Sequence, residues 1–223
     1  MAPRSGLLVD FGGVLTTSVW DSFADFCRGK GLDEGAVKRL FRQDPEAMGL
    51  LRQLETGAMS EAEFERRFAE RLGLDDASDL IDSMFRGMLP EPRMVEAVRA
   101  AHEAGVRTGL VSNSWSTDHY DRALLAELFD DVVISAEVHL HKPQPEIFRL
   151  ACERLGVEPA EAVFVDDLRE NIAGAEAVGM LGLLHRDPDE TIEKLEERLG
   201  LALGDPADTE RPPADTERRV TRR

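Results

Sequence analysis

LLVDFGGVLTT, residues 7–17, is the most informative stretch of this 223-residue chain. Its first five residues form a short apolar run that contains one acid, Asp10, and two glycines follow directly. A short apolar run bounded by turn residues predicts a buried β-strand. A carboxylate at the end of such a strand lies where open parallel sheets bind their ligands. Asp10 is therefore the first candidate functional residue.

The remaining pattern predicts an α/β fold: a Rossmann-like parallel sheet core with helices on both faces. From Pro92 onward, helical stretches alternate with the short apolar runs TGLVSN, DVVISA, AVFVDD and LGLLH. Helices that alternate with continuous apolar strands are typical of a parallel sheet that is covered on both sides. Residues 1–16 and 88–203 are predicted to form this core.

Residues 17–87 have no convincing strand pattern and predict an all-helical domain inserted after the first strand. Apolar residues recur at helical spacing in SVWDSFADFCRG, and MSEAEFERRFAERLG places Ser60 and Glu63 at the spacing of a capping box. Trp20 and Phe23 are candidates for substrate contact in this insertion. The same spacing also fits a helical core stripe, which is the simpler interpretation.

The C-terminal residues 204–223 contain the sequence PADTER twice and predict a disordered tail, because proline and charged residues bury little apolar surface. The two cysteines, Cys27 and Cys152, lie within helical patterns and lack the spacing of a zinc site. Both are predicted to be buried thiols that form no disulfide.

Acidic residues outnumber basic residues by 44 to 27, which gives a formal net charge of −17. A protein with this charge and no basic stripe is not expected to bind nucleic acid. The apolar residues before Asp10 are too few for a signal peptide or a membrane span, so we expect a cytoplasmic protein without a membrane partner. The sequence is compatible with a monomer and with a homodimer.

Polar residues stand at the ends of three predicted strands and in one loop. Because the carboxyl ends of parallel strands meet at one rim of a sheet, we expect these side chains to lie close together. Each has a local explanation, since Asp and Ser often cap turns and helices, but their combination favours a functional site. The residues are Asp10, Ser112, Asn113, Lys142, Asp166 and Asp167.

These segments together resemble the signature motifs of the haloacid dehalogenase-like hydrolases. The motifs read VDFGGVL, LVSNS, HKPQPEIF and VFVDDLRENIAGA, in the order that this family uses, and the resemblance covers residues from 7 to about 199. It implies that residues 17–87 form a cap domain over the core. It also implies a Mg²⁺-dependent phosphatase that hydrolyses a small phosphorylated metabolite, such as a sugar phosphate, through an aspartyl-phosphate.

The resemblance also implies a role for each motif residue. Asp10 would be the nucleophile, and Lys142 would balance its charge and that of the phosphoryl group. The phosphate would be bound by Ser112, Asn113 and Lys142. The Mg²⁺ ligands would be Asp10, the backbone carbonyl of Gly12, Asp166 and Asp167, with Asn171 as a supporting residue.

Gly12 departs from the family pattern, because most of its phosphatases carry a second Asp at this position as the general acid. The backbone carbonyl of Gly12 still offers a metal ligand, but the acid is lost. That loss typically costs ~10² to 10⁴ in rate when the leaving group is poor. We therefore expect either a preference for good leaving groups or an acid supplied from elsewhere, such as Asp21 or His141.

Two other functions are weighed against the phosphatase. A 2-haloacid dehalogenase also lacks the second Asp, but it needs no metal, and the adjacent acids Asp166 and Asp167 argue against it. A catalytically impaired protein that only binds a phosphorylated ligand or a protein partner would explain Gly12. The retention of Asp10 and Lys142 argues against that alternative, although a fold alone never fixes a function.

Overall fold

A five-stranded parallel sheet forms the centre of the computed structural model, which describes residues 3–116 and 120–204. The spatial order of the strands is β3-β2-β1-β4-β5, so the first strand of the chain is the central one. The strands are β1 (Gly6–Val9), β2 (Arg107–Ser112), β3 (Asp131–Ile134), β4 (Ala162–Asp166) and β5 (Leu181–Leu184). The predicted α/β fold is confirmed.

The register of the sheet brings the ends of the three central strands together. Val9 of β1 pairs with Leu110 of β2 on one side and with Val165 of β4 on the other. The N–H of Asp10 then donates to the carbonyl of Val165 at 2.9 Å, so the ladder continues into the loop. All four residues of β1 are buried, as expected for a central strand covered on both faces.

Helices cover both faces of the sheet and bury two separate apolar clusters. One cluster lies under α6 (Pro92–Glu103), α7 (Arg122–Leu128) and α11 (Pro188–Leu199). The other lies under α9 (Pro145–Leu155) and α10 (Arg169–Ala177). A short helix, α8 (Ser135–Val138), follows β3 at the edge of the sheet.

Five helices lie between β1 and α6, and they enclose a third apolar cluster of their own. They are α1 (Val19–Gly29), α2 (Ala36–Gln43), α3 (Pro45–Glu55), α4 (Glu61–Leu72) and α5 (Leu80–Phe85). Phe23 is 3% exposed within this cluster and Trp20 packs against it, in agreement with the core-stripe interpretation. Ser60 caps α4 by accepting from the N–H of Glu63 at 3.3 Å.

One aromatic residue of the sheet domain enters the cluster of the insertion. Trp115 follows β2, and its ring lies 5.2–5.6 Å, centroid to centroid, from four phenylalanine rings of the insertion. These belong to Phe23, Phe41, Phe64 and Phe85. Trp115 therefore fixes the insertion directly above the carboxyl end of β2.

The remaining sequence predictions concern the cysteines, the tail and the membrane. Cys27 and Cys152 are both free and buried, as predicted. The tail predicted to be disordered comprises residues 204–223, and all of it beyond residue 204 lies outside the described residues. No helix within residues 3–116 and 120–204 has both the length and the apolar composition that a membrane crossing requires.

Candidate active site

Three carboxylates meet at the carboxyl edge of the sheet. Asp10 follows the central strand β1, Asp166 is the last residue of β4, and Asp167 comes next. One oxygen of each carboxylate lies within 4.8 Å of an oxygen of the others. The strand order and register thus bring together the acids that the sequence placed at separate strand ends.

Lys142 joins two of these acids. Its Nζ lies 2.7 Å from Oδ1 of Asp10 and 2.8 Å from Oδ2 of Asp166, and its side chain is 1% exposed. The loop that carries Lys142 is held by Asn113, whose Oδ1 accepts from the Lys142 N–H at 2.8 Å and whose Nδ2 donates to the Lys142 carbonyl at 3.1 Å. The side chain of Asn113 therefore positions Lys142.

Asp166 is fully buried and both of its carboxylate oxygens have partners. Besides Lys142, it accepts hydrogen bonds from the N–H of Leu168 at 2.8 Å and from Nδ2 of Asn171 at 3.0 Å. Asn171 lies in the first turn of α10, so this helix orients the carboxylate. Asn171 thus donates a hydrogen bond to Asp166, one of the predicted metal ligands that it was expected to support.

The two glycines after Asp10 each face a close neighbour. Gly13 has φ +75°, and a β-carbon on it would lie 2.9 Å from Oδ2 of Asp167, so only glycine fits both the turn and the carboxylate. A β-carbon on Gly12 would lie 2.8 Å from Cγ2 of Val19. In this chain Val19 thus occupies the space into which a side chain at position 12 would extend.

Ser112, at the end of β2, is 3% exposed and is held by Tyr120. The hydroxyl of Tyr120 donates to Oγ of Ser112 at 2.8 Å, and the Tyr120 ring packs edge-on against Phe11 with centroids 5.0 Å apart. Sequence reasoning missed Tyr120. The only signal is that it is the single tyrosine of the chain.

The three acids share one lysine, which leaves the site with an excess of negative charge. Burial raises the pKa of Asp10 to about 7, since repulsion from Asp166 and Asp167 adds to burial and outweighs the effect of Lys142. Burial, and then the proximity of Asp166, raises the pKa of Asp167 to about 6. Burial alone would lower the pKa of Lys142, but Asp10 and Asp166 outweigh it and raise this pKa. A bound cation would relieve the repulsion.

The donor set fits a hard divalent cation. All three candidate ligands, Asp10, Asp166 and Asp167, offer carboxylate oxygens, and within residues 3–116 and 120–204 no thiol or imidazole joins this cluster. Carboxylate and carbonyl oxygens are the ligands preferred by Mg²⁺. The backbone carbonyl of Gly12 was predicted to be a fourth ligand, and that assignment stays a prediction.

A carboxylate from the insertion also approaches this site, and the sequence did not reveal it. Glu55 is the last residue of α3, and its backbone carbonyl accepts a hydrogen bond from the hydroxyl of Ser135, which in turn accepts from the N–H of Ser114 at 3.0 Å. Burial raises the pKa of Glu55 to about 7; Lys142 opposes the rise, and Asp10 adds to it. Nothing in the surrounding polar stretch RQLETG distinguishes Glu55 from an exposed helix residue.

The two residues that the sequence suggested as replacements for the missing acid lie in different environments. Asp21 is exposed in the first turn of α1. His141 lies beside Lys142, and its Nδ1 is 2.8 Å from the Lys142 carbonyl oxygen. Asp21 therefore lies outside the buried site, whereas His141 adjoins it.

Comparison with known proteins identifies one family. The model of a family described as haloacid dehalogenase-like hydrolase matches residues 5–179. Bifunctional epoxide hydrolase 2 of Rattus norvegicus is 32% identical over 114 residues, which cover 48% of this chain and 21% of that protein. Glyceraldehyde 3-phosphate phosphatase of Methanopyrus kandleri is 32% identical over 123 residues, which cover 50% and 53% of the two chains.

A dehalogenase is similar to the same degree. (S)-2-haloacid dehalogenase 1 of a Pseudomonas species is 31% identical over 117 residues, which cover 49% of this chain and 51% of that protein. The matched regions thus span between about a fifth and a half of these three relatives.

Among solved structures, a haloacid dehalogenase family enzyme of Bacteroides thetaiotaomicron, crystallised with magnesium and inorganic phosphate, has the same fold. The TM-score is 0.63 at 22% identity, and the match covers 82% of this chain and 94% of that one.

Proposed function

The chain belongs to the haloacid dehalogenase-like hydrolases, and from this premise we propose that it is a Mg²⁺-dependent phosphatase for a small phosphorylated metabolite. The observation that carries the proposal is the position of Lys142, whose Nζ is 2.7 Å from Asp10 and 2.8 Å from Asp166. A nucleophile beside a buried cation and two further acids suits a reaction in which an anion must attack another anion.

In the first step, a carboxylate oxygen of Asp10 attacks phosphorus in line with the ester oxygen. The bond between phosphorus and the ester oxygen breaks, and an aspartyl-phosphate and the anion of the alcohol are formed; this anion then takes a proton from an acid or from water. Lys142 attracts both the nucleophile and the phosphoryl oxygens. Ser112, held by Tyr120 at 2.8 Å, and the backbone N–H of Asn113 hold the phosphoryl group in place for attack.

In the second step, a water oxygen attacks the phosphorus of the aspartyl-phosphate. The bond between phosphorus and the Asp10 oxygen breaks, inorganic phosphate leaves, and the Asp10 carboxylate is restored. The low exposure of Asp10, 8%, limits the access of bulk water during the first step.

Mg²⁺ would be held by Asp10, Asp166, Asp167 and the carbonyl of Gly12. When bound, it supplies positive charge that stabilises the phosphoryl oxygens as their charge develops. Two features of the chain support this ligand set. Asn171 holds the carboxylate of Asp166, and the absence of a side chain at Gly13 leaves room for the carboxylate of Asp167.

The relatives support a small-molecule substrate, since one of them is a phosphatase of glyceraldehyde 3-phosphate. The net charge of −17 gives no support for a nucleic acid partner. Location in the cytoplasm, and the choice between monomer and homodimer, stay predictions from the sequence.

A 2-haloacid dehalogenase is the second candidate, because Gly12 lacks the acid and a dehalogenase is among the similar proteins. The adjacent acids Asp166 and Asp167 argue against it, since carbon–halogen cleavage by this family needs no metal. A protein that binds phosphate compounds without turnover is the third candidate, and it would have no use for the Asp10–Lys142 pair.

One assay separates the three functions. The protein is tested for phosphate release from sugar phosphates, nucleotides, acyl phosphates and aryl phosphates, with Mg²⁺ or with a chelator, and for chloride release from 2-chloropropionate. We expect phosphate release that requires Mg²⁺ and stops in Asp10→Asn. Chloride release in the presence of the chelator would establish the dehalogenase instead, and binding of phosphate compounds without any release would establish the third candidate.

A further inference from the structure

The end of helix α3 is fixed against the sheet domain. The hydroxyl of Ser135, in α8, donates to the backbone carbonyl of Glu55 at 2.5 Å, and Nδ1 of His139 lies 2.8 Å from the carbonyl oxygen of Thr56. Gly57 follows with φ +69°, and a β-carbon on it would lie 3.0 Å from the carbonyl oxygen of Ala136. These contacts bring the insertion down onto the rim of the sheet at Glu55.

The start of the same helix is also fixed, so its direction is set at both ends. Asp44 caps α3 by accepting from the N–H groups of Glu46 at 2.9 Å and Ala47 at 3.3 Å, and Pro45 occupies the first helical position. A helix with a defined start and a docked end presents its last side chain in one direction.

Glu55 lies next to the loop that follows β2, because the Ser135 hydroxyl that holds its carbonyl also accepts from the N–H of Ser114 at 3.0 Å, two residues after Ser112. The carboxylate of Glu55 adjoins the side chain of Trp115, which is held by the aromatic rings of the insertion and lies three residues after Ser112. The charged groups that act on it are Lys142 and Asp10 from the sheet domain and Arg52 from its own helix. Glu55 thus faces the nucleophile from the side on which a cap would close.

We propose that Glu55 supplies the general acid and base that Gly12 lacks. This assignment rests on the phosphatase function proposed above and adds a catalytic residue to it. It places the acid on the insertion rather than on the loop after β1, where Val19 fills the space next to Gly12.

In the first step, the carboxylic acid of Glu55 gives its proton to the ester oxygen as the bond between this oxygen and phosphorus breaks. The alcohol leaves neutral, and Glu55 becomes a carboxylate. In the second step, that carboxylate takes a proton from the attacking water as its oxygen bonds to phosphorus. Glu55 is protonated again, and Asp10 and phosphate are released.

The environment of Glu55 suits both steps. Burial is the main reason that the pKa of Glu55 is raised to about 7. Its protonated and ionised forms are therefore both populated near neutral pH. Asp21 is exposed, and the Nδ1 of His141 lies beside a backbone carbonyl, so neither matches this placement.

The test compares Glu55→Gln with the wild type over phosphate esters of graded leaving-group pKa. Glutamine keeps the shape of the side chain, and the docking contacts of Ser135 and His139 use only backbone carbonyls, so the docking of the insertion is preserved. The matched control is Glu46→Gln, an exposed position on the same helix whose partners are surface arginines. Thermal unfolding of each variant checks that the fold is retained.

We expect Glu55→Gln to lower kcat/KM for alkyl phosphates by ~10² to 10⁴ and for 4-nitrophenyl phosphate by less than about 10-fold. The variant should release nitrophenol in a burst equal to the enzyme concentration, because its aspartyl-phosphate lacks the base for hydrolysis. Glu46→Gln should behave like the wild type in both measurements.

An equal loss of kcat/KM for alkyl and aryl esters would overturn the assignment, because it would show that Glu55 only positions the insertion. Unchanged activity toward alkyl phosphates would overturn it as well. Failure of the phosphatase proposal gives a different result: the wild type would release no phosphate from any ester, and both proposals would then fall.

Discussion

The Nζ of Lys142 lies 2.7 Å from Oδ1 of Asp10, and both side chains are nearly inaccessible to solvent. Lys142 also contacts Asp166 at 2.8 Å, so one cation is paired with two buried carboxylates. Removing one partner of a buried ion pair leaves an uncompensated charge, which is far more costly than losing an exposed pair. The arrangement therefore makes Lys142 important for stability as well as for chemistry.

Lys142→Met should lower the free energy of unfolding by about 3–5 kcal/mol, measured by urea denaturation at neutral pH. The matched control is Lys194→Met, which breaks an exposed pair with Glu190 and should cost no more than about 0.5 kcal/mol. Equal unfolding free energies for the two variants would contradict the buried pairing.

The metal-free protein should lose stability as the pH rises from about 4 to about 7. Asp10 and Asp167 have pKa values raised to about 7 and about 6 by burial, so in this window the folded state holds protons that the unfolded state releases. Stability then falls with rising pH. The thermal midpoint, measured against pH with a chelator present, should show this slope.

Asp167→Asn should reduce the fall of the thermal midpoint with rising pH. It should also raise the midpoint of the metal-free protein at pH 7.5, because it removes one of three crowded acids. Excess Mg²⁺ should raise the midpoint of the wild type and have much less effect on the variant. A Mg²⁺ effect of the same size in both proteins would remove Asp167 from the metal site.

Much of this arrangement was predictable from the sequence. The apolar runs and their helical spacers predicted the parallel sheet, and the polar residues at strand ends predicted that Asp10, Ser112 and Asp166 would converge. Parallel topology makes this inference possible, because it places all carboxyl ends at one rim.

Glu55, Trp115 and Tyr120 could not be predicted in the same way. Glu55 reaches the site only because α3 docks on α8, and Trp115 belongs to the sheet domain by sequence but to the insertion by packing. No local pattern encodes such contacts between distant elements. The loss of the acid at Gly12 was visible, but the occupation of its space by Val19 was not.

Gly12→Asp should be destabilising by itself, because its β-carbon would meet Cγ2 of Val19 at 2.8 Å. Overpacking of this kind typically costs about 1–3 kcal/mol. Val19→Ala removes the obstructing methyl groups, so the double variant should be more stable than the sum of the two single effects. A double-mutant cycle by urea denaturation measures this coupling, and strictly additive effects would contradict it.

Tyr120→Phe removes the hydroxyl that donates to Ser112 at 2.8 Å and leaves the ring against Phe11 in place. The lost hydrogen bond should cost about 0.5–1.5 kcal/mol of stability. Inhibition by inorganic phosphate should weaken several-fold, since Ser112 would no longer be held toward the phosphoryl group. Unchanged inhibition by phosphate would indicate that Tyr120 has only a packing role.

The claim that Asp10 receives the phosphoryl group can be tested directly by trapping. The enzyme is mixed with 4-nitrophenyl phosphate and Mg²⁺, quenched with acid within milliseconds, and reduced with borohydride, which converts an aspartyl-phosphate to homoserine. Peptide mass spectrometry should find homoserine at position 10. Asp10→Asn should lower the rate of phosphate release at least ~10³-fold without unfolding. Intact aspartate at position 10 at every quench time, together with phosphate release by Asp10→Asn at the wild-type rate, would contradict the mechanism.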